Sequence, residues 1–164
     1  MSQQAQAGRA VIPGFAIATL ALREFLATYD WSEPLLAELL TSTLHVNVDN
    51  LHQLQGLAQH IREEICAAEL PETWIDGLKS AVDRLNSRVL IFRPCLVQTV
   101  KSTTSKSKIR CPQISGLLES RICTNHREIL AQTLKETWAE LFTARSLFYW
   151  QRSGMILPEL DMAI

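Results

Sequence analysis

The stretch WAELFTARSLFYWQR, residues 138–152, decides the fold of the second half of this chain. We interpret it as the junction of two consecutive helices. The first is capped by Asn125 and covers residues 126–142. The second covers residues 143–152 and stops at Gly154, a residue type that ends many helices.

Apolar residues at three- and four-residue spacing predict further helices upstream of this pair. The strongest pattern begins at Asp49 or Asn50 and continues to about residue 68. Its apolar stripe consists of Leu51, Leu54, Leu57, Ile61 and Ile65. The other predicted helices are residues 20–29 with Thr19 as cap, one that opens at Asp30 or Ser32 with Pro34 in its first turn, and residues 71–85.

Short apolar runs that lie far apart in the sequence predict strands. Residues 15–18 follow a Pro-Gly turn and are typical of a buried strand. Residues 88–93 are typical of a central strand that the next proline ends, and residues 115–124 predict another strand. A last apolar run begins at residue 160. Helices combined with a few such strands predict an α+β or α/β domain with a small mixed sheet.

Length and charge limit the classes of function. The 164 residues amount to one domain, and a net charge of -1 disfavours a sequence-specific nucleic-acid binder, which would carry a basic excess. No apolar run reaches the ~20 residues of a membrane span, and the N-terminus does not resemble a signal peptide. We therefore expect a cytoplasmic protein without a membrane partner, with a disordered N-terminus at residues 1–10.

Generic catalytic and metal-binding motifs are absent from the sequence. It has no Walker-type loop, Gly-x-Gly-x-x-Gly or His-Glu-x-x-His, and the scattered histidines are interpreted as surface or interface residues. The cysteines lack Cys-x-x-Cys spacing, so we expect buried free thiols and neither a zinc site nor a redox motif. The cysteines are Cys66, Cys95, Cys111 and Cys123, and the histidines are His45, His52, His60 and His126.

Two adjacent features indicate an anion site. Arg93 closes the apolar strand 88–93, and an arginine at such a strand end can direct its guanidinium at an anion, with a structural salt bridge as the alternative. Residues 98–110, the basic arm, carry four positive charges and no acid, which is typical of a mobile loop or a hairpin arm. Lys101 and Lys106 of the basic arm suit phosphate contacts, although many such loops are only solvated. Together these features suit a polyphosphate.

Blocks of the sequence resemble, in the same order, the motifs of one enzyme family. PGFAIAT (13–19) is similar to its Pro-Pro-Gly-Phe-x-x-Thr strand, LIFR (90–93) falls on its Val-Arg-Ser-Ser strand, and SGLLES (115–120) resembles Ala-Gly-Gln-x-Glu-Thr. Residues 138–152 are the closest match, to Trp-Ala-Ser-Leu-Phe-x-x-Arg-Ala-x-x-Tyr-Arg. The family is the ATP-binding domain of phosphoenolpyruvate synthases and pyruvate, phosphate dikinases, and the resemblance covers nearly the whole chain.

The resemblance implies an α+β, helix-rich fold with a small mixed sheet, the first subdomain of an ATP-grasp-like nucleotide-binding domain. In the family, Mg-ATP lies between two subdomains and phosphorylates a distant histidine, which passes the phosphate to pyruvate. Arg93 is then expected at the phosphates and Glu119 on a strand that lines the cleft. Lys101 and Lys106 complete the candidate nucleotide-binding set, and Arg145 on the closing helical pair is expected to be structural.

The chain also departs from the family's pattern. No lysine precedes Pro13, the two hydroxyls after the family's arginine become Pro94 and Cys95, and the glutamine before Glu119 becomes Leu117. Residues 11–164 therefore resemble a partial domain that stops where the second subdomain, with its acidic magnesium ligands, would begin. Because phosphoryl transfer depends on metal ions, we expect no catalytic residues, weak binding of Mg-ATP at most, and no metal bound by this chain alone.

Three functional hypotheses remain open. The chain is either the ATP-binding portion of a phosphoenolpyruvate synthase-like phosphotransferase that is inactive alone, or a degenerate domain that acts as a regulatory or scaffolding module. A polyanion contact through the basic arm ranks third, because a balanced net charge gives little long-range attraction. The first two imply an exposed apolar face, normally covered by the second subdomain, that mediates self-association or binding of a protein partner.

Overall fold

A computed structural model describes residues 11–32, 49–100, 108–110, 116–155 and 160–164. In chain order the elements are α1 (Thr19–Thr28), α2 (Leu51–Ala67), α3 (Glu72–Asp83), β1 (Val89–Phe92), β2 (Cys95–Val100), β3 (Lys108–Arg110), β4 (Arg121–Thr124), α4 (Arg127–Ala139), a 3₁₀ turn (Glu140–Phe142), α5 (Ala144–Arg152) and β5 (Leu160–Ala163). They confirm the α+β class. The predictions for residues 1–10 and for the helix that contains Pro34 lie outside the described residues.

The helices are the elements that agree best with the sequence patterns. α1, α2, α3 and α5 begin and end within a few residues of the predicted bounds, and the predicted helix 126–142 is α4 together with the 3₁₀ turn. Asn50 caps α2 by accepting a hydrogen bond from the Gln53 backbone N–H, and Thr143 caps α5 in the same way at Ser146. None of the described helices combines the length and apolar character that a membrane span requires.

Two of the predicted helix caps are wrong. Thr19 is already part of α1, whose start has no side-chain cap. Asn125 directs its amide away from the start of α4 and donates instead to Oδ1 of Asp83, 2.9 Å away. His126 therefore takes the cap position of α4 without a side-chain hydrogen bond. The Asn125 contact instead joins the end of α3 to the start of α4.

The described strands form two separate antiparallel sheets, so the predicted mixed sheet is wrong for this part of the chain. One sheet pairs β1 with β4, and in the other β2 lies between β3 and β5. β1 is not the expected central strand, because Pro94 follows it and the chain joins the other sheet at Cys95.

Two further strand predictions need correction. The segment 15–18 forms no strand, and Ile17 only exchanges a pair of backbone hydrogen bonds with Ile164. Because α1 begins at Thr19, two residues later, the backbone leaves the extended conformation and the pairing does not continue along β5. The predicted strand 115–124 begins only at Arg121, because residues from Gly116, whose φ is 77°, form a turn first.

The core lies where α2 packs against α4 and α5, and β5 packs against α1. Trp138 and Trp150 are the largest fully buried side chains. Phe25 of α1 stacks on Trp138 with 5.2 Å between ring centroids, and the Trp150 indole N–H donates to the Leu141 carbonyl at 2.9 Å. The helices thus form the core against which the β1–β4 sheet and β5 pack.

A half-buried ion pair joins α1 to β5. Asp161 is 2% exposed and accepts hydrogen bonds from both Nε and Nη2 of Arg23, with 2.5 Å between Nε and Oδ1. This hydrogen bond raises the pKa of the Arg23 guanidinium. The Asp161 carboxylate is thus buried in the core, whereas the Arg23 guanidinium that neutralises it also contacts solvent.

Candidate functional site

Arg93 lies at the corner between the two sheets. It follows β1 directly, and after Pro94 the chain continues into β2. Its side chain is exposed, and among the described residues its guanidinium has no hydrogen-bond or ion-pair partner. The structural salt bridge considered as the alternative is therefore not formed within this part of the chain. An exposed, unpaired guanidinium is able to bind an anion without first breaking another contact.

One face of the β1–β4 sheet is apolar and open. Ile91 and Ile122 are direct cross-strand partners and are 60% and 73% exposed, and Val89 on the same face is 56% exposed. We call these three residues the outer face. Side chains alternate along a strand, so Arg93, two residues after Ile91, continues this face at its end. A cationic group therefore borders an exposed apolar surface.

The inner face of the same sheet is packed against the helices. Phe92 and Cys123 are buried on that side, and α4 contacts both strands. Arg121 of β4 forms ion pairs there with Glu136 at 3.0 Å and with the buried Glu140 at 2.7 Å. The charge of Arg121 is thus neutralised by α4 and its 3₁₀ turn, in contrast with that of Arg93.

Glu119 lies before β4 and not on it, contrary to the expectation of a strand at this position. Phe92 pairs with Arg121, so the residues just before Arg121 run alongside Arg93 at the same end of the sheet. The Glu119 carboxylate is 72% exposed and lies 4.0 Å from Nη2 of Arg145. Arg145 also donates to the Leu117 carbonyl at 2.8 Å, which is the structural role expected for it.

The basic arm lies at the far end of β2, the strand that begins at the corner. Its ends are β2 and β3, which pair antiparallel from Gln98 opposite Arg110 to Val100 opposite Lys108, as a hairpin arm requires. Lys101 and Lys106 lie between these strands, outside the described residues. The length of β2, roughly 17 Å at the usual rise per residue, separates Arg93 from the point where the connection begins. The corner and the connection are thus at opposite ends of β2.

No metal-binding cluster of His, Cys, Asp and Glu side chains occurs among the residues that the structure describes. His60 pairs with Glu64 on α2, with 3.3 Å between Nε2 and Oε1. Cys66, Cys95 and Cys123 form no disulfide in the described segments, and only Cys123 is fully buried, so the expectation of buried thiols is wrong for the exposed Cys95. Burial raises the pKa of the Cys66 and Cys123 thiols.

The sequence implied an exposed apolar face, but the sequence patterns did not locate it at the outer face. The run Val89–Phe92 is apolar at every position, a pattern that favours burial on both sides of a strand. In the structure one side of β1 is nevertheless exposed. Only the strand register shows this, because it places Ile122 opposite Ile91 on the open side. The alternation of Ile122 with Arg121 and Cys123 along β4 does not reveal which side is open.

Comparison with known proteins identifies relatives of the chain. The sequence model of the family described as "Pyruvate phosphate dikinase, AMP/ATP-binding domain" matches residues 1–164. A probable phosphoenolpyruvate synthase of Methanothermobacter thermautotrophicus is 23% identical over 164 residues, which are 100% of this chain and 23% of that protein.

Two archaeal proteins with the same description match shorter parts of the chain. The probable phosphoenolpyruvate synthase of Pyrococcus horikoshii is 29% identical over 108 residues, 66% of this chain and 13% of that protein. That of Pyrococcus abyssi is 26% identical over 125 residues, 76% of this chain and 15% of that protein. The chain thus spans less than a quarter of the length of these relatives. Since the family's sequence model covers it from end to end, the chain belongs to the pyruvate phosphate dikinase AMP/ATP-binding domain family.

Proposed function

We propose that this chain is the ATP-binding portion of a phosphoenolpyruvate synthase-like phosphotransferase and that Arg93 contacts the nucleotide phosphates. The observation that carries the proposal is the exposed guanidinium of Arg93 at the end of the outer face, which has no hydrogen-bond or ion-pair partner in the described segments. Membership of an AMP/ATP-binding family supports the same ligand class. The proposal includes an ATP-grasp-like arrangement, in which this chain is one of two subdomains, and a cytoplasmic location.

The exposed guanidinium of Arg93 suits phosphate binding better than phosphoryl transfer. A planar guanidinium presents paired N–H donors that match phosphate oxygens, and the contact strengthens as water is excluded. Phosphoryl transfer additionally needs metal ions that bridge the β- and γ-phosphates. The described residues provide no acidic cluster for such an ion. We therefore propose weak ATP binding without catalysis by this chain alone, with the metal ligands contributed by another segment or chain.

The remaining candidates from the sequence have supporting roles in this proposal. Glu119 is close enough to the corner to position Arg145 and the turn before β4. Lys101 and Lys106 are proposed as secondary phosphate contacts, which requires the connection of the basic arm to fold back along β2. Their contribution is expected to be smaller than that of Arg93, because the described part of β2 ends at Val100, away from the corner.

A second candidate function is a protein-interaction module, and the outer face specifically favours it. Val89, Ile91 and Ile122 expose a contiguous apolar surface that no described element covers. Such surfaces mark sites of protein association when they are large enough. In this alternative the nucleotide site is no longer used, and the outer face binds a protein partner or a second copy of the chain.

Calorimetric titration of ATP, with and without Mg²⁺, into the wild-type chain and into Arg93→Ala tests the first proposal. We expect weak saturable binding that falls about tenfold in Arg93→Ala, since one charge-assisted contact is lost. Arg88→Ala is the matched control, because it removes an exposed positive charge at the other end of β1. Equal affinity for wild type and Arg93→Ala would contradict the phosphate contact. No binding by either folded protein would favour the interaction module.

A further inference from the structure

A cleft of about 440 Å³ lies where α1 and α2 end and α3 begins. Its walls include Phe25, Tyr29 and Trp74, and its rim carries Asp30 and Glu69. We call these five residues the aromatic cleft. The volume is within the usual range for small-molecule sites of roughly 300–1,000 Å³. The cleft is made from helices α1 to α3, whereas the proposed nucleotide corner is made from β1, β2 and the turn before β4.

The ring wall of the aromatic cleft is held in place by the core. Phe25 is 3% exposed, stacks on the buried Trp138, and lies 6.0 Å from the Tyr29 ring. On its other side Tyr29 makes an edge contact with Trp31 at 4.9 Å, and the Trp31 indole donates to the Leu26 carbonyl. Because these contacts hold the Tyr29 ring from both sides, that ring is in place before any ligand arrives.

The electrostatic character of the aromatic cleft is negative. Asp30 and Glu69 are the charged residues that line it, and no lysine, arginine or histidine does so in the described part of the chain. The C-terminal ends of α1 and α2, at Thr28 and Ala67, both lie there, and helix C-terminal ends carry partial negative charge. The start of α3 at Pro71 also lines the cleft and contributes the opposite partial charge, so the negative character comes from the two carboxylates and the two C-terminal ends together.

Cationic side chains near the cleft do not line it in the described segments, so they do not neutralise the carboxylates at its surface. Lys135 binds the carbonyls of Cys66 and Ala68, but it does so from α4 and takes no place in the lining of the cleft. Burial raises the pKa of the Tyr29 phenol, and the charges of Glu64 and Asp30 raise it further. A negatively charged ligand is therefore disfavoured at this position.

We propose that the aromatic cleft binds a small organic cation with an alkylammonium head group. Aromatic faces attract such cations through their quadrupole, and the nearby carboxylates add charge attraction. The apolar ring wall also favours an alkylated, weakly hydrated cation over a metal ion, which would require several oxygen ligands. In this proposal Asp30 and Glu69 select a positively charged ligand, and Tyr29 and Trp74 favour alkyl substituents on its ammonium group.

Titration of choline into the full chain, followed by tryptophan fluorescence and calorimetry, tests this inference. Choline is compared with 3,3-dimethylbutan-1-ol, which has the same shape without the charge. We expect saturable choline binding that is at least about tenfold tighter than binding of the alcohol. Binding should weaken with added salt, because the carboxylates are exposed. Equal affinities for the two probes, or no choline binding up to about 50 mM, would overturn the proposal.

Variants of the cleft residues locate the choline site. Two of them are used, so that the test does not depend on the folding of either one. Trp74→Leu and the double variant Asp30→Asn/Glu69→Gln are each expected to weaken choline binding about tenfold. Glu24→Gln is the matched control, because it removes an exposed carboxylate of α1 that does not line the cleft. An unchanged affinity in the double variant, or an equal loss in Glu24→Gln, would overturn the proposal. The double variant stays informative if Trp74→Leu does not fold.

Discussion

Replacing Arg23 by alanine is expected to destabilise this protein more than replacing its partner Asp161 by asparagine. The reason is the unequal burial of the pair, since the side chain of Asp161 is 3% exposed and that of Arg23 is 53% exposed. Arg23→Ala leaves a buried carboxylate without its counter-ion. Asp161→Asn leaves an arginine that returns to water, while the amide still fills the same volume. The order of the two effects therefore follows from geometry.

The magnitude can be derived from the burial of each partner. Removing one partner of a fully buried ion pair costs about 3–5 kcal/mol. Because Arg23 is half exposed and screened by water, we reduce this to about 2 kcal/mol for Arg23→Ala, and to about 1 kcal/mol or less for Asp161→Asn. For a domain of this size, the larger effect corresponds to a fall in Tm of roughly 4–8 °C.

Thermal and urea denaturation of both variants tests this prediction. The intrinsic fluorescence of the buried Trp138 and Trp150 reports on the core in each case. Arg84→Ala is the control, because this exposed arginine at the end of α3 makes no side-chain hydrogen bond or ion pair within the described residues. Its cost should stay within about 0.5 kcal/mol. The reasoning is refuted if Arg23→Ala costs no more than Arg84→Ala, or if Asp161→Asn is the more damaging change.

Other variants test the inner and outer faces of the β1–β4 sheet and the thiols. Arg121→Ala should cost about 2–3 kcal/mol in urea denaturation, because it leaves the buried Glu140 unpaired; a loss below about 0.5 kcal/mol would show that Glu140 finds water instead. Ile122→Asp should leave stability within about 1 kcal/mol, since the side chain is 73% exposed, and should abolish any self-association seen by sedimentation. At pH 8, iodoacetamide should label the exposed Cys95 before Cys66, because the raised pKa of Cys66 keeps it protonated to higher pH; equal rates would argue against this.

The helices could be predicted because their signal is local. In α2 the spacing of Leu54, Ile61 and Ile65 indicates the buried stripe, and all three are buried. The same stripe also predicted burial of Leu51, which lies in the first turn of α2 and is 59% exposed. Periodicity identifies a face of a helix, but it does not show how far along the helix its partners reach.

The sheets could not be predicted in full, because strand pairing is non-local. The apolar run at β1 favours a central strand, yet Pro94 places β1 and β2 in different sheets. The antiparallel pairing of β2 with β5 joins residues more than sixty positions apart, from Cys95 opposite Ala163 to Gln98 opposite Leu160. Nothing in either segment alone indicates that partner.

The sequence names candidate site residues, which remain predictions, but it does not show their surroundings. Arg93 could be identified from its position at the end of an apolar strand, and the structure adds that it is exposed and borders the outer face. The aromatic cleft was not predictable, since Tyr29, Glu69 and Trp74 come together only through the packing of three helices. A single sequence does not show which helix ends meet.

The most direct test of the central claim is to map ATP binding on the wild-type chain by backbone amide NMR. The account predicts that the largest shift changes upon ATP addition occur from Val89 to Arg93 and in the facing segment from Glu119 to Thr124, and that they are strongly reduced in Arg93→Ala. Shift changes confined to other elements, or changes of the same size in Arg93→Ala, would contradict a phosphate site at this corner of the sheets.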